Sequence, residues 1–203
     1  MVMFYGAETP RLWLERISEK HLQDFHLLWS SKESMIWSQH SPMQTVEESR
    51  IFMQKSLTSV NPRIDKYAIL LRHDPCTELR NDEERKDVAL RMIGLLGTVG
   101  DGMELVYMLH CDFWGKGYMT EALKAFVGKE GIFWGLESRS QVKSLVARID
   151  AENVGSMKTI AKVGARKGEL LVKDYGLAKD RGPDGEVPVE KLRDAIRWYV
   201  DRP

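Results

Sequence analysis

The chain has 203 residues, of which 43% are apolar and 30% charged, and its 30 Lys and Arg balance its 30 Asp and Glu. This composition excludes a fully disordered chain, and two cysteines, Cys76 and Cys111, cannot build a disulfide framework or a four-ligand zinc site. The zero net charge gives no reason to expect nucleic acid or an anionic membrane as a partner, and the absence of an apolar run or a leader pattern predicts a cytoplasmic protein.

The first predicted elements are two helices. Apolar residues recur every three or four positions over 21–30, which predicts an amphipathic helix. Thr45 followed by Glu48 has the spacing of a capping box, so we predict a second helix that begins there and runs to Leu57.

The middle of the chain has the pattern of buried strands. Tyr67–Leu71 and Met92–Val99 are short apolar runs, and Glu104–Leu109 follows the turn sequence Gly100–Gly102. Three consecutive strands predict an antiparallel meander, with a charged loop at 72–88 between the first two.

The second half alternates helices with strands, which indicates a mixed α/β sheet in an otherwise antiparallel chain. We place residues 1–203 in one domain, with a flexible arm at 1–8 and a loop at 178–190. The predicted elements are a helix over Thr120–Trp134, a strand over Ser144–Ile149, a helix over Ser156–Val163, and strands over Leu170–Asp174 and Ala195–Val200.

The loop between the third meander strand and the next helix carries the strongest functional signal. Gly115 and Gly117 let the backbone approach a ligand closely, and the free N–H groups at a helix start face an anion. This pattern is typical of a phosphate cradle, to which Lys116 would add a positive charge, although a plain loop before a helix explains the same spacing. Neither the Walker motif nor the three-glycine dinucleotide fingerprint is present.

Residues 104–122 spell ELVYMLHCDFWGKGYMTEA, and further stretches at 9–16, 153–156 and 162–164 follow in order. This ordered set resembles the GNAT superfamily of N-acetyltransferases, in the branch of the Rim-type ribosomal-protein acetyltransferases, over nearly the whole chain. The resemblance implies a single-domain α/β fold with a mixed, mostly antiparallel, twisted sheet, flanking helices and splayed central strands. It also implies acetyl-CoA as cosubstrate, an amine as acceptor and no metal.

The resemblance further implies which residues hold acetyl-CoA. Backbone N–H groups of the glycine loop would bind the pyrophosphate, and the splayed strands would flank the pantetheine arm. Asn153 would contact the cosubstrate, and Ser156 would lie near its sulfur. The implied residues are Met108, Leu109, His110, Trp114, Gly115, Lys116, Gly117, Tyr118, Met119, Thr120, Asn153 and Ser156.

Acetyl transfer to an amine requires a base, because an ammonium of pKa about 10.4 is only about 0.04% neutral at pH 7. Glu104 is the candidate base, directly or through a water, and an exposed residue at a strand start is the alternative. The departing thiolate requires a proton, for which Ser156 is the candidate acid, although its position equally suits a helix N-cap.

The sequence gives little information about the acceptor substrate. Trp37 and His40, between the first two helices, are candidate acceptor-binding residues, and a core Trp with a surface His explains them equally well. A small-molecule amine and a protein N-terminus both stay open, as do a monomer and a homodimer joined through an exposed final strand. Val106 and Ala165 depart from the family pattern, which leaves a non-catalytic acyl-CoA-binding or sensor domain as the alternative function.

Overall fold

The computed structural model describes residues 6–57, 59–72 and 91–203. Within these residues eight strands form one open sheet, and five α-helices pack on its two faces. The strands are β1 (Ala7–Glu8), β2 (Leu12–Arg16), β3 (Lys66–Leu71), β4 (Met92–Val99), β5 (Glu104–Leu109), β6 (Ser144–Asp150), β7 (Arg166–Tyr175) and β8 (Arg193–Asp201). The helices are α1 (Leu22–Ser30), α2 (Val46–Gln54), α3 (Tyr118–Val127), α4 (Ile132–Gly135) and α5 (Val154–Ala161).

The sheet has the order β1-β2-β3-β4-β5-β6-β8-β7, and every neighbouring pair is antiparallel except β5 with β6. This topology confirms the predicted mixed, mostly antiparallel sheet. The meander is confirmed as well: β4 and β5 have the predicted bounds, and β3 begins one residue earlier than predicted, at Lys66.

Two hydrophobic cores explain the continuous apolar runs of the central strands. Tyr67 and Ile69 of β3 pack on the face covered by α3 and α5, whereas Ala68 and Leu70 pack on the face covered by α1 and α2. A strand that is buried on both faces cannot alternate apolar with polar residues. The amphipathic α1 contributes Phe25 to the second core, as its periodicity predicts.

The predicted helix over Thr120–Trp134 is wrong, because the structure has α3 and α4 instead, separated near Gly128 and Gly131. Gly128 ends α3 in an extended conformation (φ −68°, ψ −179°). Two glycines within four residues weaken a helix by up to about 1 kcal/mol each relative to Ala, so apolar periodicity alone does not carry the helix through them.

Thr45 caps α2 as predicted, since its Oγ1 accepts a hydrogen bond from the backbone N–H of Glu48 at 3.1 Å. The Glu48 carboxylate accepts from the backbone N–H of Gln44 at 2.7 Å rather than from Thr45, so the reciprocal half of the capping box is shifted by one residue. The helix ends at Gln54, three residues before the predicted end at Leu57.

The prediction that the final strand is an exposed edge, available as a homodimer seam, is wrong. β8 lies between β6 and β7 and pairs with both, so it has no free edge. β7, which is twice as long as predicted, forms that side of the sheet instead. The predicted loop at 178–190 contains the short 3₁₀ turn Ala178–Asp180 and the first residues of another, Val189–Lys191.

Some predictions fall on residues outside the described ranges. The charged loop at 72–88 lies there except for Arg72, as does Cys76, and the predicted arm at 1–8 lies there up to residue 5. Its last two residues, Ala7–Glu8, pair with β2 as β1. No helix among the described residues combines the length and apolarity needed to cross a membrane.

A buried ion network fixes the start of β3. Asp65 is only 3% exposed, and its carboxylate accepts from Arg139 at 2.8 Å and from Arg16 at 3.0 Å. The backbone N–H of Asp65 donates to Thr98 Oγ1 at 2.9 Å. Neighbouring Gly97 has a positive φ of 150°, and a Cβ there would lie 1.9 Å from the carbonyl oxygen of Asp65, so this position requires glycine.

The central strands are splayed, as predicted. β5 and β6 pair at one register position, Glu104 opposite Val146. Beyond it, β6 runs to Asp150 paired with β8, and the facing side of β5 has no strand partner within the described residues. An open strand edge leaves backbone N–H and C=O groups that a ligand can satisfy.

Candidate active site

The opening between β5 and β6 continues into a groove of about 1150 Å³. Its walls are the loop before α3, the start of α5, the two splayed strands, and aromatic side chains of α1 and α2. Ligand sites for single small molecules typically occupy about 300–1,000 Å³, so this groove has room for two substrates side by side.

The loop before α3 has the geometry of an anion site. Gly115 (φ 73°) and Gly117 (φ 81°) both adopt left-handed backbone, and Gly117 is the N-cap of α3. Among the described residues, no acceptor pairs with the backbone N–H groups of Tyr118, Met119 and Thr120. These donors and the helix dipole attract a negatively charged group to the groove wall that they form.

The structure brings some predicted cosubstrate residues to the groove and leaves others outside it. Met108, Leu109 and Trp114 line the groove. The carbonyl oxygen of Leu109 already accepts a hydrogen bond from the indole N–H of Trp114 at 2.7 Å. His110 and Lys116 do not line the groove. The backbone N–H of His110 bonds to β4, and the Lys116 ammonium lies 5.5 Å from the centre of the Phe113 ring.

Sequence reasoning missed the group that anchors the glycine loop. The Glu121 carboxylate, in the first turn of α3, accepts from Thr9 Oγ1 at 2.6 Å and from Arg11 Nε at 2.7 Å. Arg11 also donates to the Lys116 carbonyl at 3.0 Å and lies over the Tyr118 ring at 4.5 Å. The short segment between β1 and β2, more than 100 residues away in sequence, therefore holds the loop in place.

Substitution of Glu121 tests whether this anchor supports acetyl-CoA binding. Burial favours the protonated acid, but hydrogen bonds from Thr9 and Arg11 outweigh it and lower the pKa of Glu121 below its ordinary 4.5. Hydrogen bonds to charged groups are worth roughly 1.5–3 kcal/mol, so we expect Glu121→Gln to weaken acetyl-CoA binding by about tenfold or more. Titration calorimetry measures this, with the exposed Glu130→Gln as the control.

The same anchor predicts a dependence on pH. A carboxylate whose pKa is depressed in the folded state stabilises that state at pH values above about 4.5 and loses this contribution as the pH falls through its folded pKa. The difference in thermal stability between the wild type and Glu121→Gln should therefore shrink as the pH falls below about 4.5. A difference that stays constant down to pH 3 would contradict the assignment.

The start of α5 holds two predicted residues. Asn153 is the N-cap, and its Oδ1 accepts from the backbone N–H of Ser156 at 3.0 Å. The alternative that Ser156 is the cap, and the predicted helix start at Ser156, are therefore wrong. The Ser156 hydroxyl has no hydrogen-bond partner among the described residues. Asn153 and Ser156 both line the groove.

Tyr107 connects β5 to this turn. Its hydroxyl donates to the carbonyl oxygen of Ser156 at 3.2 Å. Burial raises the pKa of the Tyr107 phenol above its usual value, so the group stays protonated at neutral pH and keeps this bond. The contact crosses the groove beside the splayed strands and fixes the position of the first turn of α5.

Glu104 lies at the closed end of the splay. Its Oε1 accepts from Arg148 Nε at 2.9 Å, and Arg148 also contacts the Asp174 carboxylate at 3.3 Å. No other described residue bonds to the Glu104 carboxylate, so Oε2 is available to the groove. The ion pair orients the carboxylate, and the side chain is about one-third exposed rather than freely solvated.

A second acid of the groove is also paired with arginine. Asp150, at the end of β6, accepts from Arg193 at 2.5 and 3.0 Å and from the Tyr175 hydroxyl at 2.5 Å. Burial opposes ionisation of Asp150, but these hydrogen bonds prevail and lower its pKa. The backbone N–H of Glu152 also donates to it at 2.7 Å, so Asp150 shapes the turn that leads to α5.

The acceptor residues proposed from sequence lie at the far end of the groove. His40 packs edge-on against Phe52, with ring centres 5.0 Å apart, and against Trp29 at 6.0 Å. Trp37 lies beneath the guanidinium of Arg193 at 5.4 Å. Both predicted residues line the groove, together with aromatic residues of α1 and α2 that sequence reasoning assigned only to the core.

One set of neighbouring side chains in the described ranges has the atoms of a metal site. Ligand-type atoms of His110, Cys111 and Asp112 lie within 4.8 Å of one another. The His110 imidazole already accepts from the backbone N–H of Asp112 at 3.4 Å, as a local turn cap. This contact accounts for the cluster without a metal ion.

Comparisons with known proteins agree with this geometry. Residues 11–166 match the model of the acetyltransferase (GNAT) domain. The chain is 24% identical over 182 residues to an uncharacterized N-acetyltransferase, p20, of Bacillus licheniformis. The aligned region covers 85% of this chain and 88% of that protein.

Two solved structures have a similar fold. One is the spermidine N-acetyltransferase of Vibrio cholerae in complex with CoA and spermine, with a TM-score of 0.67 and 13% identity over 96% of this chain and 97% of the other. The other is the RimL ribosomal L7/L12 alpha-N-protein acetyltransferase, with a TM-score of 0.66 and 15% identity over 95% and 91%. At these identities the likeness concerns the fold alone. The domain match spans most of the chain, which therefore belongs to the GNAT acetyltransferase family.

Proposed function

We propose that this protein is an acetyl-CoA-dependent N-acetyltransferase, of the Rim-type branch, that transfers acetyl to a primary amine by direct attack in a ternary complex. The observation that carries the proposal is one continuous groove in which the unpaired edges of β5 and β6 open beside the free N–H groups at the start of α3. Two proteins of similar fold act on a polyamine and on a protein N-terminus, which supports an amine acceptor.

The residues present fit the cosubstrate. In this proposal the N–H groups of Tyr118, Met119 and Thr120 bind the pyrophosphate, and the open edge of β5 near Met108 pairs with the amide groups of the pantetheine arm. The first turn of α5 then lies on the other side of the arm, with the Ser156 hydroxyl directed to the thioester end.

The transfer step moves two protons: one leaves the amine, and one is added to the departing thiolate. The neutral amine nitrogen attacks the thioester carbonyl carbon, an N–C bond forms, and the C–S bond breaks. Glu104 takes the proton lost by the amine at Oε2, directly or through a water, while Arg148 holds its other oxygen. The Ser156 hydroxyl donates a proton to the departing thiolate and regains one from solvent water.

Ser156 and Tyr107 can be separated by substitution. If Ser156 protonates the thiolate, Ser156→Ala should lower kcat by about 100-fold, a typical effect of one general acid, with little change in acetyl-CoA affinity. Tyr107→Phe removes only the bond that positions α5, so its loss should be much smaller. A greater loss of kcat in Tyr107→Phe than in Ser156→Ala would contradict this assignment and make the phenol the acid.

The proposal is tested by initial rates of CoA release with acetyl-CoA and a panel of amines. Direct attack predicts intersecting double-reciprocal lines as both substrates are varied, whereas parallel lines would indicate an acetyl-enzyme and contradict the mechanism. The alternative function, a non-catalytic acyl-CoA sensor, is favoured by the engagement of Glu104 in an ion pair with Arg148. Tight acetyl-CoA binding without transfer to any amine would support the sensor.

A further inference from the structure

Lys66 is a buried lysine of the groove whose side chain has no ion pair or hydrogen bond among the residues that the structure describes. It is the first residue of β3, is only 8% exposed, and lines the groove. Its ammonium makes no ion pair or hydrogen bond with any residue in the described ranges, although a buried charge without a partner is costly. It lies on the sheet face covered by α1 and α2, because its neighbours Ala68 and Leu70 pack there in alternation.

The register places Lys66 beside the proposed reaction centre. Lys66 is opposite Gly97 of β4, and Gly97 is opposite Val106 of β5. Glu104 is two residues from Val106 on β5, and therefore on the same face. Glu104 is also the acidic group whose charge acts on Lys66. A cation and the candidate base thus flank the end of the groove where an acceptor amine would react.

The acids of the groove are paired with arginines: Glu104 and Asp174 with Arg148, and Asp150 and Glu152 with Arg193. Burial, together with the positive charges of Arg181 and Lys55, lowers the pKa of nearby His40. These four carboxylates therefore have arginine partners, and none of them forms an ion pair with Lys66.

We propose that Lys66 binds an anionic group of the acceptor, so that the acceptor is a small amine carrying a carboxylate or a phosphate a few bonds from its nitrogen. This inference rests on the proposed function. The amine lies toward Glu104, the anion toward Lys66, and the apolar part of the acceptor packs against Trp29 and Phe52. A polyamine or the N-terminus of an uncharged peptide offers Lys66 no counter-charge.

The protonation state of Lys66 agrees with this role. Burial lowers its pKa to about 8, and the charge of Glu104 acts in the opposite direction. At pH 7 about nine in ten molecules still carry the ammonium, so the groove presents a cation to the acceptor under neutral conditions. A bound anion would raise this pKa and stabilise the charged form further.

The first test compares matched acceptors. Phenylalanine is paired with phenethylamine, and O-phosphoethanolamine with ethanolamine; spermidine and an amidated, uncharged tetrapeptide complete the set. We expect kcat/KM to be at least about tenfold higher for the anionic member of a pair, and the better pair distinguishes carboxylate from phosphate. Lys66→Met should abolish the preference, and the exposed Lys129→Met should retain it. A preference for spermidine, the tetrapeptide or the two amines that lack an anionic group would overturn the proposal, as would a preference that survives in Lys66→Met.

A binding measurement keeps the inference testable if no acceptor in the set is acetylated. Benzoate and phenyl phosphate are titrated calorimetrically into the protein saturated with CoA. The wild type should bind one of them at least about tenfold more tightly than Lys66→Met, whose CoA affinity serves as the check on folding. Equal binding or no binding would overturn the inference. If only amines without an anionic group are acetylated, the proposed function stands and the anion site is rejected. If anions bind through Lys66 but no amine is acetylated, the anion site stands and the proposed function is rejected.

Discussion

Glu104→Gln is expected to lower kcat by about 10²–10⁴-fold, the usual contribution of a general base, while acetyl-CoA binding stays unchanged. The amide of glutamine can still accept the hydrogen bond that Arg148 donates to Glu104 Oε1 at 2.9 Å, so the local structure is retained. It cannot take a proton from the amine. Steady-state kinetics with a saturating acceptor measures the loss, and a thermal shift with CoA measures cosubstrate binding separately.

Asp174→Asn is the matched control for this experiment. Asp174 is the other carboxylate on Arg148, at 3.3 Å, and it has no role in the proposed step. We expect its kcat to stay close to that of the wild type. If Glu104→Gln retained wild-type kcat, or if both variants lost activity equally, Glu104 would not be the base.

Asp65→Ala is expected to destabilise the fold by about 3–5 kcal/mol, because removal of one partner from a buried ion pair leaves the other charge uncompensated. Arg139, which donates to Asp65 at 2.8 Å, is only 8% exposed and cannot turn into solvent without moving its surroundings. For a chain of this size the loss corresponds to roughly 6–20 °C in Tm. Thermal denaturation followed by circular dichroism measures it.

The control for Asp65→Ala is Asp101→Ala. Asp101 pairs with Arg63 at 3.6 Å, and both side chains are at least three-quarters exposed. Exposed pairs contribute about 0–1 kcal/mol, so this variant should denature close to the wild type. Similar Tm values for the two variants would show that the Asp65 network does not stabilise the start of β3 as described.

Local patterns predicted the elements whose structure depends on nearby residues. The apolar runs of β3 and β4 are buried on both faces, and β5 follows them after a turn sequence, so local patterns identify these strands within one residue. The helix predicted over Thr120–Trp134 failed because the apolar spacing continued through Gly128 and Gly131, and the cost of those glycines decided the outcome.

The order of the strands in the sheet could not be predicted from local sequence patterns. Nothing in the sequence of β8 shows that it inserts between β6 and β7, since the choice depends on how the whole sheet buries its faces. An exposed edge was therefore predicted where a doubly paired strand exists.

The site was predictable where its chemistry is local and not where it depends on distant pairs. Gly115 and Gly117 are recognisable because a loop that opens a helix has a short signature. The anchor between Arg11 and Glu121 joins residues 110 positions apart. Lys66 lies just outside the strand predicted over Tyr67–Leu71, and its burial within the groove depends on tertiary packing.

Binding of the thioester cosubstrate in this groove is tested by a thermal shift with acetyl-CoA, CoA and ATP in parallel. A ligand at about 100 times its Kd adds about 2.7 kcal/mol, which for a chain of this size is roughly 5–11 °C. We expect shifts of that order with acetyl-CoA and CoA and none with ATP. No shift at millimolar acetyl-CoA would contradict cosubstrate binding by the free N–H groups at the start of α3.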